Sequence, residues 1–209
     1  MSQTIHRAIR LALASLLAVA LISQLLVGMS RSDLSVVNFF SYFTVLSNTA
    51  AIVMLVLLAA RPGRDDSVAF AVFRGAVTVY MTVTGIIYAF VLAPHLADVA
   101  VPEPWIDWSI HVVGPVAVVL DWLFWRPTVR IPLRALLIWL VFAAAYLAYT
   151  VIRGAMAGWY PYPFLDPAES GGNWAVVLWS LVVLAVILGV SFLALWWVNR
   201  SHPDDVDSS

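Results

Sequence analysis

Six stretches of the chain, about 8–28, 36–60, 68–93, 104–125, 131–152 and 173–198, are apolar almost throughout and are separated by short segments rich in Arg, Pro, Asp and Gly. Each can cross roughly 30 Å of hydrocarbon as a helix rising 1.5 Å per residue. The pattern predicts an all-α membrane protein, a single domain of six transmembrane helices over residues 1–200. An acidic tail, 201–209, is too polar to bury a core and is expected to be disordered. His6, Arg7 and Arg10 before the first apolar run look like the start of a signal peptide. That run is longer than the usual signal core, however, and five more spans follow, so it is expected to stay as the first span. Prolines punctuate the pattern. Pro62 and Pro94 are expected to end the second and third spans, Pro104 to open the fourth, and Pro127 and Pro132 to frame the turn before the fifth.

Composition strengthens this picture. Of 209 residues, 63% are hydrophobic and only 11% charged, where a soluble domain carries about a quarter. Arg7, Arg10, Arg61, Arg64, Arg74, Arg126, Arg130, Arg134 and Arg200 fall on one side of the predicted topology, and only Arg31 and Arg153 on the other. The positive-inside bias then predicts a cell-membrane protein with both termini cytoplasmic. Net charge is −1 with no extended basic patch, so no nucleic-acid partner is expected. Cysteine is absent, which removes disulfides, thiolate catalysis and Cys-ligated metal centres.

Against so apolar a background, the polar residues inside the spans are conspicuous. The fourth span contains Trp105-Ile-Asp-Trp-Ser-Ile-His111 and continues to Pro115 and Asp121. An ionisable group in a span is costly and so points to function. At 100° per residue, Asp107, His111, Gly114 and Asp121 share a face about 80° wide. In the second span Ser41, Thr44 and Asn48 make a second polar stripe. Thr44 and His111 both lie roughly 10–12 Å below the outer interface by helical rise. A hydroxyl and the only histidine well inside a span thus share a level, as a nucleophile and its general base require. Asp107, one turn before His111, is placed to orient the ring. Tyr88 in the third span lies at a similar depth and can donate to an oxyanion, with Asn48 and Ser41 supporting the pocket. The plainer alternative is that these hydroxyls bond back to carbonyls one turn earlier and the Asn joins two helices. Arg74 and Asp121, each about six residues from the inner boundary, are expected to form a structural ion pair. The long outer connection 153–172 carries Trp159, Tyr162 and Phe164. Tyr160 and Tyr162 each precede a proline, so the segment reads as a stiff lid over substrate access, or else as an aromatic anchor at the interface.

Four motifs resemble the androgen-induced, FAR-type integral membrane proteins, through a bacterial branch of six-span members. They are Tyr42-Phe-Thr44-Val-Leu-Ser-Asn48, Ile86-Ile-Tyr88-Ala, the fourth-span segment from Trp105 to His111 with Pro115 and Asp121, and Gly158-Trp-Tyr-Pro-Tyr-Pro163-Phe-Leu-Asp166. Animal members hydrolyse fatty acid esters of hydroxy fatty acids with a threonine nucleophile and an intramembrane histidine. The resemblance implies Thr44 and His111 in those roles. Asp107 departs from it, since an amide is expected there, and Asp121 stands in place of a glutamate.

The expected function is therefore hydrolysis of a lipid ester from the outer leaflet, with membrane lipids as partners and no cofactor. Haem would need a second intramembrane histidine, and His95 lies only at the rim. Zinc would need about three ligands and finds His111 with Asp107 alone. A transporter would need a polar path or a pair of broken helices, neither visible in the sequence. A non-catalytic membrane scaffold or regulator fits the same pattern. Oligomeric state is left open.

Overall fold

The computed structural model describes residues 3–31, 34–61, 67–96 and 103–200. Expectations on Pro62, Arg64 and the tail 201–209 lie outside them. The fold is all-helical, with no strand among the described residues, and six helices are long and apolar enough to span a membrane. The chain runs through α1 (Gln3–Arg31), α2 (Val36–Phe40), α3 (Phe43–Ala60), α4 (Val68–Ile87), α5 (Ala93–Leu96), α6 (Pro104–Trp108), α7 (Gly114–Phe124), α8 (Ala135–Ala157), α9 (Pro167–Ser170) and α10 (Asn173–Asn199). π-helical turns, Tyr88–Leu92 and Ser109–Val113, join α4 to α5 and α6 to α7.

The helix α4 is the hub. It packs on α3, α7 and α10, while α1 lies along α3. One apolar cluster gathers Val79, Tyr80 and Val83 of α4 with Trp122, Trp139, Ile187 and Leu195. A second joins Leu17, Met54, Leu55, Val77, Met81 and Val118. Few residues of α8 or α10 are buried, which leaves broad faces of both to the surroundings.

The second apolar stretch is not one helix. Ser35 caps α2 by accepting from the Asn38 amide at 3.1 Å, and α2 stops at Ser41. Tyr42 then adopts an extended conformation (φ −79°, ψ 130°) before α3 begins. A helix broken at this depth must have its freed backbone groups satisfied from elsewhere in the protein. Two phenols do this. The Tyr146 hydroxyl donates to the Ser41 carbonyl at 2.9 Å and accepts from the Phe43 amide at 3.2 Å, bridging the break. The Tyr162 hydroxyl accepts from the Thr44 amide at 3.2 Å. No Gly or Pro lies at the break to announce it.

Pro94 does not end its helix either. The first residues of the two π turns, Tyr88 and Ser109, each precede a proline, Pro94 and Pro115, by six positions. A proline ring in an α-helix collides with the carbonyl four residues back. Widening the preceding turn to i→i+5 bonding relieves that collision, with the Ala93 amide donating to Tyr88 and the Gly114 amide to Ser109. The two π turns carry Tyr88 and His111. Gly85 lets α4 approach the second of them, since a Cβ there would lie 3.1 Å from Pro115 and 3.6 Å from the His111 carbonyl.

Candidate functional site

His111 and its neighbours form one cluster. The His111 Nδ1 lies 2.8 Å from the Asp107 Oδ1 and 3.2 Å from the Asp107 carbonyl. The Tyr88 hydroxyl donates to the other carboxylate oxygen of Asp107. Its ring stacks on His111 at 4.3 Å between centroids and 7° between planes. With a carboxylate facing Nδ1, that nitrogen donates, and in the neutral ring the lone pair is then on Nε2, the tautomer a general base needs. Tyr88 thus holds the carboxylate that holds the histidine. It does not present a free donor to an oxyanion, because Asp107 already takes its proton.

Thr44 has different neighbours. It sits on the first turn of α3 and is buried. Its hydroxyl is 3.2 Å from the Tyr162 hydroxyl, the same oxygen that accepts the Thr44 amide. No hydrogen bond joins Thr44 to His111, so the nucleophile–base contact expected from their shared depth is not made in this structure. The two are on touching elements, and Asn48 is the link. Its Nδ2 donates to the Thr44 carbonyl at 2.8 Å and to the Ile110 carbonyl, one residue before His111, at 3.1 Å. Ser47 bonds the Thr44 carbonyl at 3.1 Å and the Thr84 hydroxyl at 3.0 Å, fastening the same turn to α4. Asn48 is therefore glue between helices, with its Oδ1 buried and unpaired.

A cavity of about 710 Å³ opens beside Thr44. Phe43, Thr44, Val83, Thr84 and Ile87 line it together with one stripe each of α8 and α10, and Tyr162, Phe164 and Leu165 of the connection between those helices complete the wall. Its volume is that of a small-molecule site, about 300–1,000 Å³, and its walls are mainly apolar with hydroxyls near Thr44. His111, Asp107, Tyr88, Asn48 and Ser41 do not line it. Ser41 turns away from it, bonding the Val37 carbonyl at 2.7 Å and the Tyr149 hydroxyl at 2.8 Å.

The connection between α8 and α10 is folded rather than merely extended. α8 ends at Gly158, which adopts a left-handed conformation (φ 62°), and Gly171 and Gly172 (φ 98° and 103°) return the chain into α10. Between them Tyr162 stacks on Phe164 at 5.3 Å and meets Tyr42 edge-on at 5.7 Å. Burial raises the Tyr162 phenol above its ordinary pKa, so it stays a neutral donor and acceptor. Trp159 does not reach the cavity. It packs edge-on against Tyr42 at 5.7 Å and under the Arg153 guanidinium at 5.2 Å.

At the opposite end of the bundle, Arg74 and Asp121 are 3.4 Å apart. Arg10 lies closer to the carboxylate, at 2.8 Å, and Arg74 also donates to the Trp125 carbonyl at 2.6 Å. The pair is thus a triad joining α1, α4 and α7. Arg10 and Tyr146 are the residues that sequence reasoning missed. Arg10 looked like a flanking topogenic charge, and the only signal for Tyr146 was a phenol inside a span, which needs a partner when buried. No group of three or more metal-ligating side chains occurs among the described residues.

No protein-family model matches the chain, and no curated protein or solved structure is significantly similar to it.

Proposed function

We propose that this protein is an intramembrane hydrolase of lipid esters, with Thr44 as nucleophile and His111 as general base. The observation that carries this reading is the position of the Thr44 hydroxyl at the polar edge of an apolar cavity. It lies on a helix turn whose first amides are held only by phenols. In the reaction, Thr44 Oγ1 attacks the ester carbonyl as its proton passes to His111 Nε2. The developing oxyanion is met by the Thr44 amide and the Tyr162 hydroxyl. Collapse expels the alcohol with the proton from His111. Water, deprotonated by the same nitrogen, then releases the acyl group as a fatty acid and restores Thr44. Asp107 keeps the imidazole in its base tautomer throughout. Thr44 must exchange Tyr162 for His111 to react; catalytic contacts are often long in apo structures and tighten with substrate.

The proposal includes placement in the cell membrane with both termini cytoplasmic, supported by the arginine distribution. It also includes kinship with the androgen-induced, FAR-type proteins, supported by the four motifs. A second reading, a non-catalytic lipid-binding scaffold, is favoured by the Thr44–Tyr162 bond standing where a Thr44–His111 bond would be. A fluorophosphonate probe applied to detergent-purified protein separates the two. Under the hydrolase reading it labels Thr44, and labelling is lost in folded Thr44→Ala and His111→Ala variants. If the probe does not label the protein and neutral lipid esters also survive incubation, the scaffold reading takes its place.

A further inference from the structure

The cavity has a side opening. Val151 of α8 and Val177, Leu181 and Leu184 of α10 line it, yet each is 39–55% exposed on the outer surface of the bundle. A residue that faces both a cavity and the surroundings marks a mouth. α8 and α10 are held together in their inner halves, where Ala135 and Trp139 share a core cluster with Ile187, Ala194, Leu195 and Val198. Nearer the outer loop they part, and the gap between them is the cavity. The aqueous side above is closed by Tyr162, Phe164 and Leu165, all buried. An opening flanked by exposed Val and Leu on two spanning helices faces acyl chains, not water.

The polar edge restricts what can lie there. Among the described residues no Arg, Asp, Glu or His lines the cavity, and its polar functions are the hydroxyls of Thr44, Thr84, Tyr146, Tyr160, Tyr162 and Ser180 and the Asn173 amide. A phosphate, carboxylate or ammonium drawn inside would be a charge without a partner, at a cost of several kcal/mol. Hydroxyls suit an uncharged ester, which accepts hydrogen bonds and needs no counter-ion. We propose that the occupant is a neutral lipid ester that enters sideways from the bilayer between α8 and α10. Its acyl chain lies along the two helix stripes and its carbonyl reaches Thr44. The binding step stands on the cavity alone. Only the statement that the bound ester is cleaved rests on the hydrolase reading above.

The test uses the full chain in liposomes with two photoactivatable probes carrying the same diazirine acyl chain, one a fatty acid methyl ester and one a phosphatidylglycerol. After irradiation, labelled peptides are located by mass spectrometry. The methyl ester is expected to label cavity residues of α8 and α10 several-fold above the exposed face of α1 (Ile9, Val19, Ile22), and the phosphatidylglycerol to show no such enrichment. Ala144→Trp combined with Leu181→Trp fills the mouth and should remove the enrichment while α1 labelling persists, which reports a folded protein in the membrane. Equal enrichment of the charged probe, no enrichment of the ester, or enrichment indifferent to the two tryptophans would overturn the proposal. Methyl ester hydrolysis is followed in parallel. Enrichment without hydrolysis supports the side opening and counts against the hydrolase reading alone.

Discussion

Tyr162→Phe is the most informative single change, because one oxygen serves two contacts with Thr44. The phenol accepts the Thr44 amide and bonds the Thr44 hydroxyl, each at 3.2 Å, with both residues buried. Removing it leaves a buried first-turn amide without an acceptor, which costs about 1–3 kcal/mol, whereas the hydroxyl–hydroxyl bond is worth about 0.5–1.5 kcal/mol net. A double-mutant cycle with Thr44→Val separates the two, since valine keeps the amide and deletes the hydroxyl. Tyr162→Phe should destabilise the protein in both backgrounds, and by about 0.5–1.5 kcal/mol less in the Thr44→Val one. Unfolding would be followed by circular dichroism in mixed micelles of increasing SDS, where a helical membrane protein loses tertiary structure cooperatively. A coupling indistinguishable from zero, with an unchanged unfolding slope, would mean that the phenol does not hold the Thr44 hydroxyl. The account of a resting nucleophile covered by the loop would then be wrong.

Three further outcomes follow from the same contacts. Asp121→Asn removes the carboxylate that bonds both Arg10 and Arg74 and should cost about 3–5 kcal/mol, whereas Arg10→Met leaves the Arg74 contact in place and should cost less; thermal unfolding in detergent gives the order, and equal losses would refute the triad. Gly75→Ala puts a Cβ 2.3 Å from the Trp139 ring, so a loss of about 1–3 kcal/mol is expected, with partial recovery when Trp139→Phe frees the space. Asn48→Leu leaves the Ile110 carbonyl without its donor while Ser47 still serves Thr44, so about 1–3 kcal/mol should be lost, and an unchanged SDS midpoint would show that the link to the His111 segment carries nothing.

Much of the architecture was legible because long apolar stretches leave few alternatives to helix. The described residues carry six helices long and apolar enough to span a membrane, where six were expected, and Arg74 in such a stretch called for Asp121 because a lone charge there is costly. What escaped depended on contacts between distant parts of the chain. Nothing near Ser41 and Tyr42 signals a break. It persists because Tyr146 and Tyr162, more than a hundred positions away, take over the freed backbone groups. Arg10 was hidden for a related reason, since an arginine at a helix end already has an explanation as a topogenic charge.

The candidate site shows where helical arithmetic holds and where it fails. Asp107 and His111 are a turn apart, and their i, i+4 contact forms across the start of a π turn. Over the longer interval the arithmetic breaks down, because a π turn inserts a residue and rotates everything after it. The single polar face expected from Asp107 to Asp121 is accordingly divided. At one end His111 stacks on Tyr88, and at the other Asp121 closes an ion triad with Arg10 and Arg74. Depth is a weaker guide for the same reason, since 1.5 Å per residue assumes an unbroken helix and the second span breaks two residues before Thr44. Equal depth is in any case only one coordinate of a contact. Thr44 faces the α8–α10 cavity and His111 faces Tyr88, and it is the Asn48 side chain, bonded to the carbonyls of Thr44 and Ile110, that ties the two segments together.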